Sequence, residues 1–196
     1  MSKGVRIGLK DIYYAVLSKD DQDTGQVTYS TPKRFAPAIS ATVTPTENSE
    51  TLYADDGPYE VASAKGEITI ELNVTDISTA VYAEITGATV ATDGSVEEAQ
   101  DDVAPYVALG WRSQTSTGKY KYFWYYKGRF ASPEEEFQTK EDSPSFQTPT
   151  ISATFITRQA DGMRRKFINE NDEGVDADVI KNWFKAVPVP PAPPAP

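Results

Sequence analysis

The sequence predicts a mainly β protein of antiparallel strands, with one helix flanking the sheet and a second helix near the C-terminus. Apolar and polar residues alternate with a period of two in several runs that Gly, Pro, Asp and Asn bound, which is typical of half-buried strands. Only two stretches show helical spacing instead. The length of 196 residues suits a single domain, expected at residues 1–187, before a flexible Pro/Ala-rich tail at 188–196.

Three segments alternate most clearly: 67–74, 38–44 and 150–157. Each has apolar residues on one face and small or acidic polar residues on the other, so each predicts a strand with one side against a core. In the first segment the apolar face consists of Ile68, Ile70, Leu72 and Val74. The polar faces of the first two segments contain no Lys or Arg and consist of Glu67, Thr69, Glu71, Asn73, Ser40, Thr42 and Thr44.

An aromatic-rich hairpin is predicted from residues 106–112 and 119–130, because residues 113–118 between them have the Ser, Thr and Gly content of a turn. One face of the second arm should seek a core. It carries Tyr120, Tyr122, Trp124, Tyr126 and Phe130. The opposite face is expected to contact water or another subunit. It carries Lys119, Lys121, Phe123, Tyr125, Lys127 and Arg129.

The two helices are predicted from apolar spacing and from end signals. The first has Asp76 as its candidate N-cap and Gly87 at its C-terminal cap, and it should lie on the sheet. The second is expected at about residues 176–187, because acids precede an apolar face, lysines follow and Pro188 ends the pattern. Its apolar face consists of Val179, Ile180, Trp183 and Phe184.

The composition argues against catalysis and against binding of nucleic acid. The chain has no cysteine and no histidine, so it lacks thiolate chemistry, the commonest zinc ligands and the commonest general base. Nineteen Lys and Arg against 29 Asp and Glu give a net charge of −10, which repels phosphates. We therefore expect no enzyme activity, no cofactor and no bound metal. No apolar stretch is long enough to span a bilayer, so we expect synthesis in a cytoplasm without membrane association.

Three acidic motifs are compatible with chemistry, but a solvated turn or loop explains each of them better. Asp-Thr-Gly at 23–25 matches the aspartic protease triplet, yet it follows polar residues rather than an apolar strand. Asp-Asp-Gly at 55–57 lacks the alternating oxygen ligands of a calcium loop. The three glutamates at 134–136 follow Pro133 and are typical of a helix start or an exposed loop.

Two further features favour contacts between proteins. Arg164, Arg165 and Lys166 form the only basic cluster of the sequence, and in an acidic chain they suit an exposed strand or an intersubunit ion pair better than phosphate binding. The aromatic arm with its lysines is compatible with stacking on single-stranded nucleic acid or on sugar rings. Packing in a core and at a subunit interface explains this arm better.

Four stretches, in this order and spacing, resemble the major tail proteins of long, non-contractile-tailed phages. They are GVRIGLKDIYYA at 4–15, TPKR at 31–34, YADDGPY at 53–59 and the strand-and-helix run at 66–87. The resemblance spans about residues 3–185 and leaves the Pro/Ala tail outside.

The resemblance implies a β-sandwich or partial barrel, the tail-tube fold, and a structural virion protein of a siphophage. It implies hexameric rings that self-assemble into a tail tube, through which DNA is ejected. The expected partners are further copies of the chain, the tape measure protein, and the tail terminator and distal tail proteins. Double-stranded DNA is expected to pass without specific binding.

Two assembly surfaces follow as hypotheses. A conduit for DNA needs a wall without phosphate-binding cations, so the polar faces of residues 40–44 and 67–73 are expected to line the lumen; ordinary solvent exposure is the alternative. Residues 44–65 are too many for a tight turn and are expected to form a long loop that reaches a neighbouring subunit or ring. Its expected contact residues are Tyr53, Asp55, Asp56 and Tyr59, and the basic cluster is a candidate interface.

Three other functions remain open from the sequence. The first is a tube subunit of a contractile tail or of a secretion apparatus. The second is a carbohydrate-binding β-sandwich that uses Tyr122, Trp124 and Tyr126. The third is a small aspartic hydrolase that uses Asp23.

Overall fold

The computed structural model describes residues 4–139 and 146–189, so most of the predicted Pro/Ala tail, residues 190–196, lies outside the described residues. The strands are β1 Lys10–Asp20, β2 Val27–Tyr29, β3 Lys33–Arg34, β4 Ala38–Ala54, β5 Gly57–Val74, β6 Thr89–Val90, β7 Val96–Glu97, β8 Val107–Gln114, β9 Tyr120–Phe130, β10 Thr150–Ile156 and β11 Arg165–Asn169. The helices are α1 Thr79–Thr86 and α2 Ala177–Lys181.

The strands form one nine-stranded antiparallel sheet and a separate pair, β6 and β7. The main order is β2-β1-β8-β9-β10-β5-β4, with β3 paired to β1 and β11 paired to β9. The sheet does not close into a barrel over the described residues. The predicted fold class, mainly β and antiparallel with two helices, is confirmed.

The middle of the sheet is buried on both faces. One face packs into a main core that includes Ile12, Tyr14, Phe35, Ile70, Leu72, Leu109, Trp111, Phe123, Tyr125 and Phe155. The other face packs into a C-terminal core of Ala15, Ala108, Tyr122, Trp124, Tyr126, Trp183 and Val187. The segment that contains α2 covers this second face, and the indole Nε1 of Trp124 donates to the carbonyl of Trp183 at 3.0 Å.

The prediction for the two faces of the aromatic arm was wrong in part. Phe123 and Tyr125 lie in the main core rather than in water, because both faces of β9 are covered. A β-bulge separates the pair Leu109 and Tyr125 from the pair Val107 and Gly128, and it adds one residue to β9. The bulge reverses the alternation, so Phe130 also lies in the main core and not with Tyr122.

Residues 44–65 are not a loop, which corrects the sequence prediction. They continue β4 and β5 as one long antiparallel hairpin, closed at Ala54 and Gly57 by the two residues Asp55 and Asp56. Both aspartates have positive φ, 50° and 61°, as a type I′ hairpin turn requires. Almost every residue of this ribbon is exposed on both faces, so no alternation of apolar residues marks it in the sequence.

The helices form where they were predicted, with different ends. Helix α1 begins after Ser78 rather than Asp76, and its predicted C-cap Gly87 has φ 86° and donates its N–H to the carbonyl of Ala83 at 2.9 Å. Helix α2 begins after Asp176, whose carboxylate accepts the N–H of Asp178 at 2.8 Å. It ends at Lys181, several residues earlier than predicted, and the chain continues through turns.

Candidate assembly surfaces

The polar sides of three strands join into one face, here called the polar face. The register pairs β4 with β5 and β5 with β10 in three rows. The rows are Ser40–Asn73–Thr150, Thr42–Glu71–Ser152 and Thr44–Thr69–Thr154. Six of the seven residues expected from the sequence to share a lumen face thus lie in these rows, and the seventh, Glu67, follows along β5 where the register shifts. The third strand was predicted from the sequence, but its polar side was not assigned to this face, because only long-range pairing joins it to the other two strands.

The polar face is backed by the main core and has an acidic residue at its centre. Alternate side chains of β5, including Ile70 and Leu72, are fully buried on the opposite side, so the outward direction of the polar residues is set by the core. The amide nitrogen of Asn73 donates to the Thr150 hydroxyl at 3.0 Å, which links two of the strands. Glu71 is exposed at the centre of the face.

A cation lies at the margin of the polar face. Arg129 of β9 lies opposite Thr154, is exposed, and has its guanidinium carbon 4.1 Å from the centroid of the Tyr106 ring. Lys127, which the sequence predicted to contact water or another subunit, is buried within the chain. The three rows themselves contain no Lys or Arg, so they present no cation to a phosphate backbone.

The burial of Lys127 depends on an ion pair with Asp20. The Lys127 ammonium lies 2.7 Å from an Asp20 carboxylate oxygen, and both side chains are only 6% exposed. Burial favours a higher pKa for Asp20, but the N–H of Gln159, the ammonium of Lys127 and the N–H of Ala160 all donate to the carboxylate. Together they hold the pKa of Asp20 below its ordinary value. This pair therefore fixes the end of β1 against β9 and the turn after β10.

The distal hairpin, residues 46–65, is a projecting acidic ribbon. It carries five acids against one lysine: Glu47, Glu50, Asp55, Asp56, Glu60 and Lys65. From Pro45 to Ala54 the strand has nine steps, which span about 30 Å at the usual rise per residue. The four contact residues expected from the sequence lie together at its tip, where Tyr53 and Tyr59 are 69% and 73% exposed.

The basic cluster lies at the start of β11, which pairs with β9 along one edge. Arg165 and Lys166 are exposed, as expected for a wet strand or an interface. Arg164 is partly buried, and two of its guanidinium nitrogens, Nε and Nη2, have no hydrogen-bond partner among the described residues. Phe167 is 52% exposed although it is aromatic, and its ring lies 4.8 Å from the ammonium of Lys121.

A groove of about 560 Å³ lies beside β11 at the base of the hairpin, and is here called the aromatic groove. Its apolar lining includes Val43, Pro45, Trp111, Phe123, Tyr125 and Phe167. The Trp111 ring stacks on Phe123 and on Tyr125, with centroid distances of 5.7 and 5.1 Å. The basic residues of the lining are Arg6, Lys121 and Arg165, and no Asp or Glu is among the described residues that line it.

The alternative sites are not supported by the geometry. Tyr122, Trp124 and Tyr126 are buried under the C-terminal segment, so they present no aromatic platform to a sugar. Asp23 lies in an exposed turn, where the Asp21 carboxylate accepts its N–H at 2.9 Å. Over the described ranges, no three Asp or Glu side chains are grouped closely enough to hold a metal ion.

The profile of a known family matches most of the chain. The family is described as phage tail tube protein, and the match covers residues 11–187. The chain belongs to the phage tail tube protein family. The match includes every strand and both helices, apart from the first residue of β1, so the polar face and the distal hairpin are both parts of the family domain.

Membership gives this tail tube family protein a structural role as a component of a phage tail. Among curated proteins, no significant match to the chain is found. Neither helix that the structure describes is long and apolar enough to cross a membrane.

Proposed function

We propose that this protein is the major tail tube subunit of a siphophage, and that it self-assembles into stacked hexameric rings whose lumen conducts DNA during ejection. The role is structural, and its activity is assembly rather than catalysis. The polar face is the observation that carries the proposal, because three paired strands present hydroxyl, amide and carboxylate groups without a cation. Such a wall lets a polyanion pass without binding it.

The free edge of β4 supports self-assembly. β4 pairs with β5 along one edge only, so a strand of 17 residues presents unpaired backbone groups at the end of the described sheet. Exposed edges of this length add strands from other chains unless they are covered. A neighbouring copy in a ring would cover this edge and continue the polar face around the lumen.

The distal hairpin is proposed as the contact between adjacent subunits or rings, through Tyr53, Asp55, Asp56 and Tyr59. Exposed tyrosines are favoured at protein interfaces because they combine a large apolar surface with a hydroxyl. The basic cluster of Arg164, Arg165 and Lys166 is proposed as a second interface. The tape measure, tail terminator and distal tail proteins are the proposed partners inside and at the ends of the tube.

Negative-stain electron microscopy of concentrated, purified protein tests the assembly proposal. Tubes of uniform diameter with a stain-filled channel are the expected result. Particles that stay monomeric at every concentration would contradict self-assembly. A contractile sheath around the tube in virions would replace the siphophage assignment by a contractile tail.

Thiol labelling tests which face lines the lumen, since the chain has no cysteine of its own. In the Thr42→Cys variant, a small maleimide should label both dissociated protein and tubes. A maleimide on a bulky polymer should label dissociated protein but leave the tubes almost unlabelled, because it cannot enter the channel. Equal labelling of tubes by both reagents would place Thr42 on the outside.

A further inference from the structure

The distal hairpin and the aromatic groove have complementary charge and chemistry. The hairpin has a formal charge of −4, from five acids and one lysine between residues 46 and 65. The groove has three basic residues in its lining and no acid among its described residues. The two features lie at opposite ends of the same ribbon, because Val43 and Pro45 at its base contribute to the groove.

The groove suits an aromatic side chain that is accompanied by a carboxylate. Phe167 leaves half of its ring exposed between the Lys121 ammonium at 4.8 Å and the Arg165 guanidinium carbon at 5.6 Å. A second ring would cover the apolar surface, and the two cations would remain available to acids at its sides. The hairpin tip offers this combination, because Tyr53 and Tyr59 flank Asp55 and Asp56 within seven residues.

The hairpin tip cannot reach the aromatic groove of its own chain. The strands of the distal hairpin stay paired up to Ala54 and Gly57, which keeps the tip about 30 Å from Pro45 at the usual rise per residue. The groove begins at Pro45 and Val43. Any occupant with the chemistry of the tip must therefore come from another molecule.

We propose that the aromatic groove of one copy receives the hairpin tip of a second copy, with a tip tyrosine against Phe167 and the tip aspartates beside Lys121 and Arg165. This inference rests on the proposed function and names the site that receives the hairpin. Tip and groove are different surfaces of one chain, so the contact is heterologous and repeats from copy to copy. It thereby lengthens an assembly instead of closing it as a dimer.

A second basic depression, beside α2, is a weaker acceptor. It contains Arg34 and Arg112, but both guanidinium groups are paired with Asp11. The rings of Tyr13 and Phe184 in its wall stack on each other at 4.6 Å, and neither residue is as exposed as Phe167. Charge reversal of its Lys181 and Lys185 is a matched control for the change in net charge alone.

Cross-linking between two single-cysteine variants tests the pairing. Tyr53→Cys and Phe167→Cys are mixed under mild oxidation, and a covalent dimer is expected in the mixture but not with either variant alone. Val103→Cys, at a side chain that is 66% exposed, replaces Phe167→Cys as the control and should give no dimer. Equal dimer yields with Val103→Cys would overturn the groove as the receiving site.

Charge reversal on the groove side tests its role in assembly. The double variant Lys121→Glu and Arg165→Glu should lose tubes while keeping the melting temperature of a folded monomer. The control Lys181→Glu and Lys185→Glu makes the same change in net charge and should keep its tubes. Loss of tubes in the control alone would move the receiving site to the depression beside α2 and overturn the proposal.

Neutralisation on the tip side gives the reciprocal test. Asp55→Asn and Asp56→Asn remove both charges with a residue that tolerates positive φ, and this variant should form fewer tubes and less cross-linked dimer. Glu135→Gln and Glu136→Gln are the matched control, because both glutamates are exposed and lie outside the hairpin. Wild-type tubes without the Tyr53–Phe167 cross-link would overturn the groove and leave the proposed function standing, whereas absence of wild-type tubes would overturn both.

Discussion

Strands β4 and β5 run through two regions that differ in what stabilises them. In the proximal region, Ile68, Ile70 and Leu72 are buried against the main core while their neighbours form the polar face. In the distal hairpin the same strands stay paired, with shifts of register at Pro45/Glu47 and Leu52/Tyr53, but neither face meets a core. A two-stranded ribbon without a packed face is marginally stable by itself. The proximal region is therefore a folding unit, and the distal region is suited to be completed by another molecule.

Deletion of the distal hairpin separates folding from assembly and should have the largest effect. Replacing residues 47–65 with Asn-Gly preserves the pairing at the base, because a two-residue loop of this type closes a hairpin. The variant should remain a folded monomer with nearly unchanged melting temperature and should form no tubes. Circular dichroism and negative-stain microscopy check these outcomes, and tubes of normal length would contradict the proposed role of the hairpin.

Asp20→Asn tests the packed part of the molecule outside the hairpin, through the buried ion pair of Asp20 with Lys127. Leaving the Lys127 ammonium buried without its partner should lower the free energy of unfolding by about 3–5 kcal/mol. The folded pKa of Asp20 lies below the ordinary 3.8, so its stabilisation is complete above that value and is lost as the pH falls below it.

Denaturant titrations of wild type and Asp20→Asn between pH 6 and pH 2 check the direction of this pH dependence. The wild type should lose more stability on acidification than the variant, because only the wild type has a proton to bind at this site on unfolding. The same acid slope in both proteins would contradict the assignment. Glu50→Gln, in the distal hairpin, should leave the monomer stability nearly unchanged.

A glycine pair compares the packing of the two regions directly. A Cβ at Gly128 would lie 2.5 Å from a ring carbon of Phe155, whereas the nearest atom to a Cβ at Gly57 is 4.0 Å away. Gly128→Ala should cost about 1–3 kcal/mol through overpacking. Gly57→Ala should change the unfolding free energy by less than about 0.5 kcal/mol, as surface substitutions usually do. Chemical denaturation measures both, and equal costs would refute the contrast.

Asp56→Gly should give the smallest effect and a stabilising one. Asp56 has a φ of 61° at the second position of the type I′ turn, where glycine is preferred. The substitution should stabilise the hairpin by less than about 1 kcal/mol, seen as slower amide hydrogen exchange in the strands near the tip. Faster exchange would show that the Asp56 side chain holds the turn in a way that glycine cannot.

The sequence predicted the secondary structure correctly where one side of a segment meets a core. The alternation in residues 67–74 and 150–157 predicted the strands, and Gly87 predicted the end of the first helix, because burial and positive φ select residue types locally. The same reasoning missed the distal hairpin. With both faces in water, nothing selects apolar residues at every second position, so the segment was read as a loop.

The aromatic arm shows a second limit. Its residues predicted a strand, but the bulge before Gly128 and the cover provided by Trp183 decided which side chains are buried. The ion pair of Asp20 and Lys127 joins residues 107 positions apart, and no local pattern indicates it. Lys127 was accordingly expected to contact water or another subunit, because a lysine is rarely buried without a partner.

By itself the sequence determined the mainly β class, the absence of cysteine and histidine chemistry, the acidic charge and the polar sides of the strands. Only the tertiary structure decided that three of those polar sides form one face, that an acidic ribbon projects from it, and that a basic aromatic groove lies at the base of the ribbon. The physical reason is the distance along the sequence over which each kind of interaction acts. Alternation and turn preference act over a few residues, whereas strand pairing and buried charge join segments that only folding brings together.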